Sequence, residues 1–170
     1  MTNLNLHDQN VMDHLNKVLA QSPAIFRNFP NEDLNELLHI GEVEQYDRSQ
    51  RVIDEIDPTC ETAYLILEGK VAQSRDGINL GAFGPGNFLE EVFLFGKGSR
   101  LASVVALEPT TVIKFRRGAV MDYFRSKPER LFTIFIINIL DLQQRRVGVL
   151  TNAFVRAQKA LLEHHSGGQS

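Results

Sequence analysis

The pattern of apolar positions changes character twice along the chain. Up to about residue 40 it is helical. "HDQNVMDHLNKVLAQ" sets Val11, Leu15, Val18 and Leu19 at spacings of three and four, which predicts an amphipathic first helix. In "FRNFPNEDLNELLHI", Pro30 and Asn31 mark the start of a second helix, with Leu34, Leu37 and Leu38 on one face. From Glu42 the pattern shortens. "VEQY", "RVIDEI", "TAYLILEGKVAQS" and "INLGAF" are rich in β-branched and aromatic residues, and "DPTC", "EG", "RDG" and "GPG" between them are turn chemistry. The pattern resumes as "ASVVALE" and "TTVIKF", separated at Pro109. Gly69, between "AYLIL" and "KVAQS", suits a position of positive φ. Some seven short strands, with no helix among them before residue 90, predict an antiparallel barrel or sandwich.

Helical spacing returns at Arg117. "RGAVMDYFRS" predicts a short helix, and "SKPERLF" predicts the start of another, with Ser126 as N-cap, Pro128 in the first turn and Glu129 completing a capping box. No Gly or Pro follows until Gly148, and helical character continues to about His164, a rod of roughly 57 Å at 1.5 Å per residue. The expected organisation is an N-terminal helix over 1–21, a β-roll over 22–127, a long helix over 128–165 and a disordered polar tail over 166–170.

The long helix carries a seam. Ile136, Leu140, Gln143, Val147, Leu150, Phe154, Ala157 and Leu161 alternate by four and three, while Arg145, Arg146, Asn152, Arg156 and Lys159 fall elsewhere. The apolar first part, "LFTIFII", is expected on the chain's own barrel. A small barrel cannot cover the whole rod, so the seam predicts a coiled coil, most simply a parallel two-fold homodimer with Gln143 helping to fix register.

Composition narrows the function classes. A chain of 170 residues favours one domain with an appended element, and a net charge of -3 gives no global field toward nucleic acid or an anionic membrane. Cys60 is the only cysteine, so no internal disulfide forms, and a reducing cytoplasm is the expected compartment. The N-terminus does not read as a signal peptide, and the most apolar run, Leu131 to Leu140, is too short to span a bilayer. No membrane association is expected.

The candidate chemistry lies in "GNFLEEVFLFGKGSRLASVVA", Gly86 to Ala106. "FLEEVFLF", bracketed by "GPGN" and "GKGS", predicts a short helix starting near Glu90, whose free amides would form an anion site. Arg100, returning from the far side of the loop, would add a bidentate fork for a phosphate, and Glu91 could accept from sugar hydroxyls. The alternative is a surface hairpin with a chance pair of charges, in which Glu91 is a dipole-favoured helix residue, Ser103 a plain strand residue, and Phe93, Leu94 and Phe95 core. Arg100 among Ala, Ser and Val needs a partner in either reading. Other chemistries fail on spacing. The glycines at 84 and 86 lack the third of a dinucleotide fingerprint, and "FGKGS" lacks P-loop spacing. His7, His14, His39, His164 and His165 pair with no carboxylate or cysteine at metal-ligand spacing, and Cys60 reads as a passive thiol. No catalytic residue, metal site or enzyme activity is expected.

Helix, helix, barrel strands, then Gly-x-Phe-x-x-Glu, nine residues to Arg, and Arg-x-Ala-Ser-Val: this order resembles the cyclic nucleotide-binding domain family, in its catabolite-activator-like effector domain. "LILEGKV" and "SKPE" are similar to the family too, and the resemblance covers about Ser22 to Val147. It implies an α+β fold: an antiparallel β-roll or jelly-roll barrel with N-terminal helices and a long C-terminal helix. It implies that Glu91 binds a ribose hydroxyl and Arg100 a cyclic phosphate, with Val92, Phe93, Ala102 and Ser103 around the ligand. This chain departs from the family at Glu90, usually glycine, at Phe93, usually small, and at Leu101, which supplies no side-chain donor. Glu90 and Phe93 are therefore candidates to block the pocket, Glu90 by pairing with Arg100.

Two functions follow. One is a non-enzymatic regulatory module with a degenerate pocket, acting through protein interaction and homodimerisation. The other is a sensor that binds a cyclic nucleotide (cAMP or cGMP) and signals to a partner protein. Glu90 and Phe93 favour the first, and Glu91 and Arg100 at family spacing favour the second. A cyclic nucleotide is the one ligand in view, and no other cofactor is expected. No helix-turn-helix follows the long helix, and "QQRR" at Gln143 to Arg146 reads as a solvated basic face, so no DNA contact by this chain is expected.

Overall fold

The computed structural model describes residues 2–4, 6, 8–21, 23–57, 61–95 and 100–167. Strand β1 (Thr2–Leu4) precedes helix α1 (Gln9–Ala20), a 3-10 turn at Ala24–Phe26, and α2 (Asn31–His39). Eight strands follow: β2 (Glu42–Tyr46), β3 (Arg51–Ile53), β4 (Thr62–Glu68), β5 (Val71–Arg75), β6 (Ile78–Phe83), β7 (Phe88–Leu89), β8 (Ser103–Ala106) and β9 (Thr110–Arg116). The chain closes with α3 (Arg117–Arg125) and α4 (Glu129–Gly167). The strands form two sheets, ordered β1-β2-β9-β4-β7 and β3-β8-β5-β6, and every pairing is antiparallel. This is the antiparallel jelly-roll architecture that the family resemblance implied. Cys60, His7 and the Gly96–Ser99 stretch of the candidate site lie outside the described residues, as do the last three residues of the expected tail.

The alternation of strand residues sorts the chain into two cores. On β4, Ala63, Leu65 and Leu67 face the helices and join Val11, Leu15, Phe26, Leu38, Phe115 and Phe135. Tyr64 and Ile66 face the opposite sheet and join Val52, Val71, Val104 and Val112. A strand buried on both faces shows a continuous apolar run, which is why "TAYLIL" lacks the polar alternation of a half-exposed strand.

Two strands escape the periodicity. The three residues of β1 pair with Val43 to Gln45, too short a run to read. β7 exists because Gly86, at φ 82°, turns the chain back onto β4: Gly86 N–H donates to Ile66 O at 2.9 Å, and Ile66 N–H donates to Asn87 O at 3.0 Å.

The start of α4 corrects an expectation. Ser126 does not cap it. Its backbone N–H donates to the carbonyls of Asp122 and Tyr123 and its hydroxyl donates to Tyr123 O at 2.7 Å, so it closes α3 instead. Only Ser126, Lys127 and Pro128 separate the helices, and Leu131 N–H donates to Pro128 O in the first turn of α4. The helix also runs on to Gly167, two residues into the expected tail.

Three features hold the first half of α4 to the body. Leu131, Phe135 and Ile139 are buried. The buried Asn138 amide donates to Ile25 O at 3.0 Å and Arg27 O at 2.7 Å, satisfying carbonyls of the 3-10 segment. Arg27 then pairs with Asp141 at 3.1 Å. Beyond Leu150 the rod leaves the body, and every side chain from Thr151 to Glu163 is exposed. Among the described residues, no helix is long and apolar enough to cross a membrane.

Gly69 is packed directly against backbone of the neighbouring turn. Its φ is +85°, and a Cβ there would lie 2.4 Å from Pro109 O and 2.7 Å from Thr110 Cα. Both obstacles are backbone. Gly69→Ala should therefore destabilise the protein by at least about 2 kcal/mol, read as a lower urea midpoint at unchanged slope.

Candidate functional site

β7 delivers the chain to Glu90, which takes left-handed backbone angles (φ 59°, ψ 32°) and reverses it into a single 3-10 turn, Glu91–Leu94. The predicted helix is thus one turn. Phe93 N–H donates to Glu90 O at 3.0 Å and Phe95 N–H to Val92 O at 2.9 Å. Glu90 occupies in this way a conformation that costs a residue with a side chain about 1–2 kcal/mol.

The turn sends its side chains in two directions. Phe93 and Leu94 enter the helix-side core. Phe93, offered as a block, is thus chiefly a core residue that also lines the site. Val92 and Phe95 stay exposed at the rim.

Glu91, only 1% exposed, turns toward α4. Its Oε1 accepts from Gln143 Nε2 at 2.5 Å and forms an ion pair with Arg146. Arg146 also donates to Phe88 O at 2.7 Å and lies 5.7 Å from the centroid of the Phe83 ring. Oε2 of Glu91 is buried with no partner among the described residues. Burial pushes the Glu91 carboxyl above the usual range, against the pull of Arg146. Glu90 is pushed up for the same reason, opposed by Arg100 and Arg146.

Arg100, 5% exposed, is sealed on the opposite side. Its Nη2 donates to Thr62 Oγ1 at 2.9 Å, while Nε and Nη1 have no partner among the described residues. Thr62 in turn donates to Tyr64 Oη at 3.2 Å. The pairing expected between Glu90 and Arg100 is not a hydrogen-bonded one. The Arg100 charge acts on Glu90 only through space.

A cavity of about 470 Å³ opens between the turn and α4. Its polar wall is Glu90, Glu91, Gln73, Gln143 and Arg146, and Phe83, Leu89, Val104, Val147 and Leu150 form much of the rest. The ligand residues read from the sequence therefore divide. Glu91, Val92 and Phe93 line the cavity, and Arg100, Ala102 and Ser103 do not. Ala102 is fully buried, and Ser103 Oγ accepts from Glu55 N–H at 3.3 Å.

Sequence reasoning missed Thr62 and Arg146 and misplaced Gln143. "QQRR" is not a uniformly solvated face: Arg145 pairs outward with Asp141 at 3.0 Å, while Arg146 reaches the site. The available signal was Gln143 itself, a polar residue on an apolar seam with an arginine three positions later on the same side. The seam also divides at this point. Ile136 packs against the core, Gln143 holds Glu91, and Leu140, Val147, Leu150, Phe154, Ala157 and Leu161 are exposed.

Comparison with known proteins identifies the family and the fold. The family model described as "Cyclic nucleotide-binding domain" matches residues 43–127. A cyclic nucleotide-binding domain from Methylobacillus flagellatus superposes with a TM-score of 0.77 at 23% identity, covering 92% of this chain and 88% of that one. The catabolite activator protein of Thermus thermophilus gives 0.66 at 22% identity, over 79% of this chain and 63% of its own length. A c-di-GMP responsive global regulator from Xanthomonas campestris gives 0.65 at 19% identity, over 75% and 64%. No curated protein matches.

The two raised carboxyls have a consequence for stability against pH. A carboxyl held above its ordinary range binds its proton more tightly when folded, so its contribution is greatest in acid and is lost as pH rises through the folded value. Glu90→Gln removes one such group. The variant should gain stability relative to the parent as pH is raised from about 4 to neutrality, measured by urea denaturation. A variant that falls behind the parent at neutral pH would show that Arg100 outweighs the burial cost.

Proposed function

The chain belongs to the cyclic nucleotide-binding domain family, and from that premise we propose a non-enzymatic regulatory module that works by protein interaction and homodimerisation. Its family ligand site is closed by its own residues. One observation carries this reading: α4 holds Glu91 through Gln143 and Arg146. The carboxylate that would meet a ribose hydroxyl is buried with Oε1 already engaged, and the arginine that would meet a phosphate lies off the cavity. Glu90 adds negative charge on the wall where an anion would approach, which costs any phosphate ligand. The working surface is then the exposed rod of α4, where Leu150, Phe154 and Leu161 leave an apolar strip of a kind soluble monomers avoid. A second copy in parallel is the simplest closed solution, and a partner protein reads the resulting pair. With a lone cysteine, the cytoplasm suits such a module.

A specific observation favours a second reading. Arg100 keeps two buried donor nitrogens without partners among the described residues, which is costly unless an anion arrives. In that reading the closed pocket is the resting state of a cyclic nucleotide sensor.

Light scattering at tens of micromolar should give a dimer, and Leu150→Glu with Phe154→Glu should give a folded monomer. A parent that stays monomeric rejects the homodimer. Cyclic AMP and cyclic GMP at millimolar concentration should leave the melting temperature of the parent unchanged. A ligand at a hundred times its dissociation constant would instead add about 2.7 kcal/mol. A shift that Arg100→Lys abolishes would replace the closed-site reading with the sensor. Glu90→Gly is the variant expected to gain nucleotide binding. Phe93→Ala is unsuited to that test, because truncating a core phenylalanine costs about 3–5 kcal/mol.

A further inference from the structure

Exposed apolar side chains gather at the cavity beside α4. Val92 and Phe95 come from the 3-10 turn and its end, Leu101 from the position after Arg100, and Val147 and Leu150 from α4. Each is exposed, and each lines the same cavity. Apolar residues scattered singly over a surface need no explanation, but a contiguous patch marks a contact surface. Val147 and Leu150 also belong to the apolar seam of α4. Seam and rim therefore lie on one side of the helix and form one continuous surface.

The seam is too slight to hold two chains together by itself. From Leu140 to Leu161 it runs about 32 Å, and a helix about 10 Å wide offers there a strip of roughly 320 Å², against about 800 Å² per partner in a specific interface. It is also interrupted. Gln143, a seam position, turns into the site and donates to Glu91. The interruption falls beside the cavity, one turn before Val147. At that height Val92, Phe95 and Leu101 continue the apolar surface beyond α4.

We propose that a second copy of this chain closes the cavity: its α4 lies across Val92, Phe95 and Leu101 as well as along the seam, and each copy shuts the cavity of the other. The inference deepens the homodimer of the proposed function and rests on it. A parallel two-fold pair sets like residues at like heights, so Leu150 and Phe154 of the second copy arrive at the level of the rim. The same contact is made twice, once on each chain, which adds the rim to the interface on both sides. Exchange between the cavity and solvent then requires the pair to open.

The test uses the full chain in a dilution series followed by light scattering. Phe95→Asp with Leu101→Asp should raise the dimer dissociation constant at least tenfold, although neither residue is on α4. Leu107→Asp, at an exposed apolar position that does not line the cavity, should change it less than twofold. A second measurement keeps the test open if the charged pair fails to fold. The chain has no tryptophan, so Phe95→Trp installs a single reporter at the rim. Its emission should shift to the blue as concentration rises through the dissociation constant, and should stay at the solvent-exposed wavelength when Leu150→Glu and Phe154→Glu are added. A folded rim variant that dimerises as tightly as the parent, or a reporter that stays in water while the dimer forms, confines the interface to the rod and overturns the closure alone. A parent that is monomeric at every concentration removes the homodimer reading and the closure together.

Discussion

A carboxylate cannot stay charged at 1% exposure without donors, and the side-chain donors that Glu91 meets among the described residues, Gln143 and Arg146, stand on α4. That requirement sets the long helix. Asn138 fixes it to the carbonyls of Ile25 and Arg27, and Arg146 fixes it to Phe88 O and Glu91, about 12 Å further along the axis. Two polar anchors on one rod determine its rotation as well as its position. The apolar stripe alone would not, because "LFTIFII" is apolar on nearly every side and could pack in several rotations. Breaking a buried pair by removing one partner is strongly destabilising, so pocket and helix are linked energetically as well as by contact.

The interior of the roll supports the site from the other side. Tyr64 and Thr62 on β4 stand behind Arg100, and across the same sheet Glu44 accepts from Tyr46 Oη at 2.6 Å and from Lys114 Nζ at 3.0 Å. Burial and the Glu44 carboxylate push the Tyr46 phenol well above its usual value, so it remains a donor throughout the physiological range. The space between the sheets is thus apolar at one end, around Val71 and Ala106, and polar where it approaches the turn at Glu91. Glu91 and Arg100 stand in separate compartments here: Glu91 lines the cavity beside α4 and Arg100 does not. Glu90, in a left-handed conformation usual for glycine, stands at the turn between them.

The sequence by itself determined much of the architecture. Strand-length apolar runs between turn residues, with helical spacing on either side, predict an antiparallel barrel or sandwich with flanking helices, because alternation and helical periodicity are local properties. Gly69 was legible for the same reason: its left-handed conformation is demanded by a turn inside two joined strands. The positions of Glu91 and Arg100 were legible as a spacing along the chain. Their surroundings were not. Which way Glu91 points, whether Arg100 reaches the cavity, that Ser126 closes α3 rather than opening α4, and that Gln143 leaves the seam for the site are all decided by contacts between residues far apart in sequence. Glu91 and Arg146 are joined across the whole of β8, β9 and α3. No periodicity records such a pairing, because a buried charge selects its partner by distance in the folded state, and only the tertiary structure sets that distance.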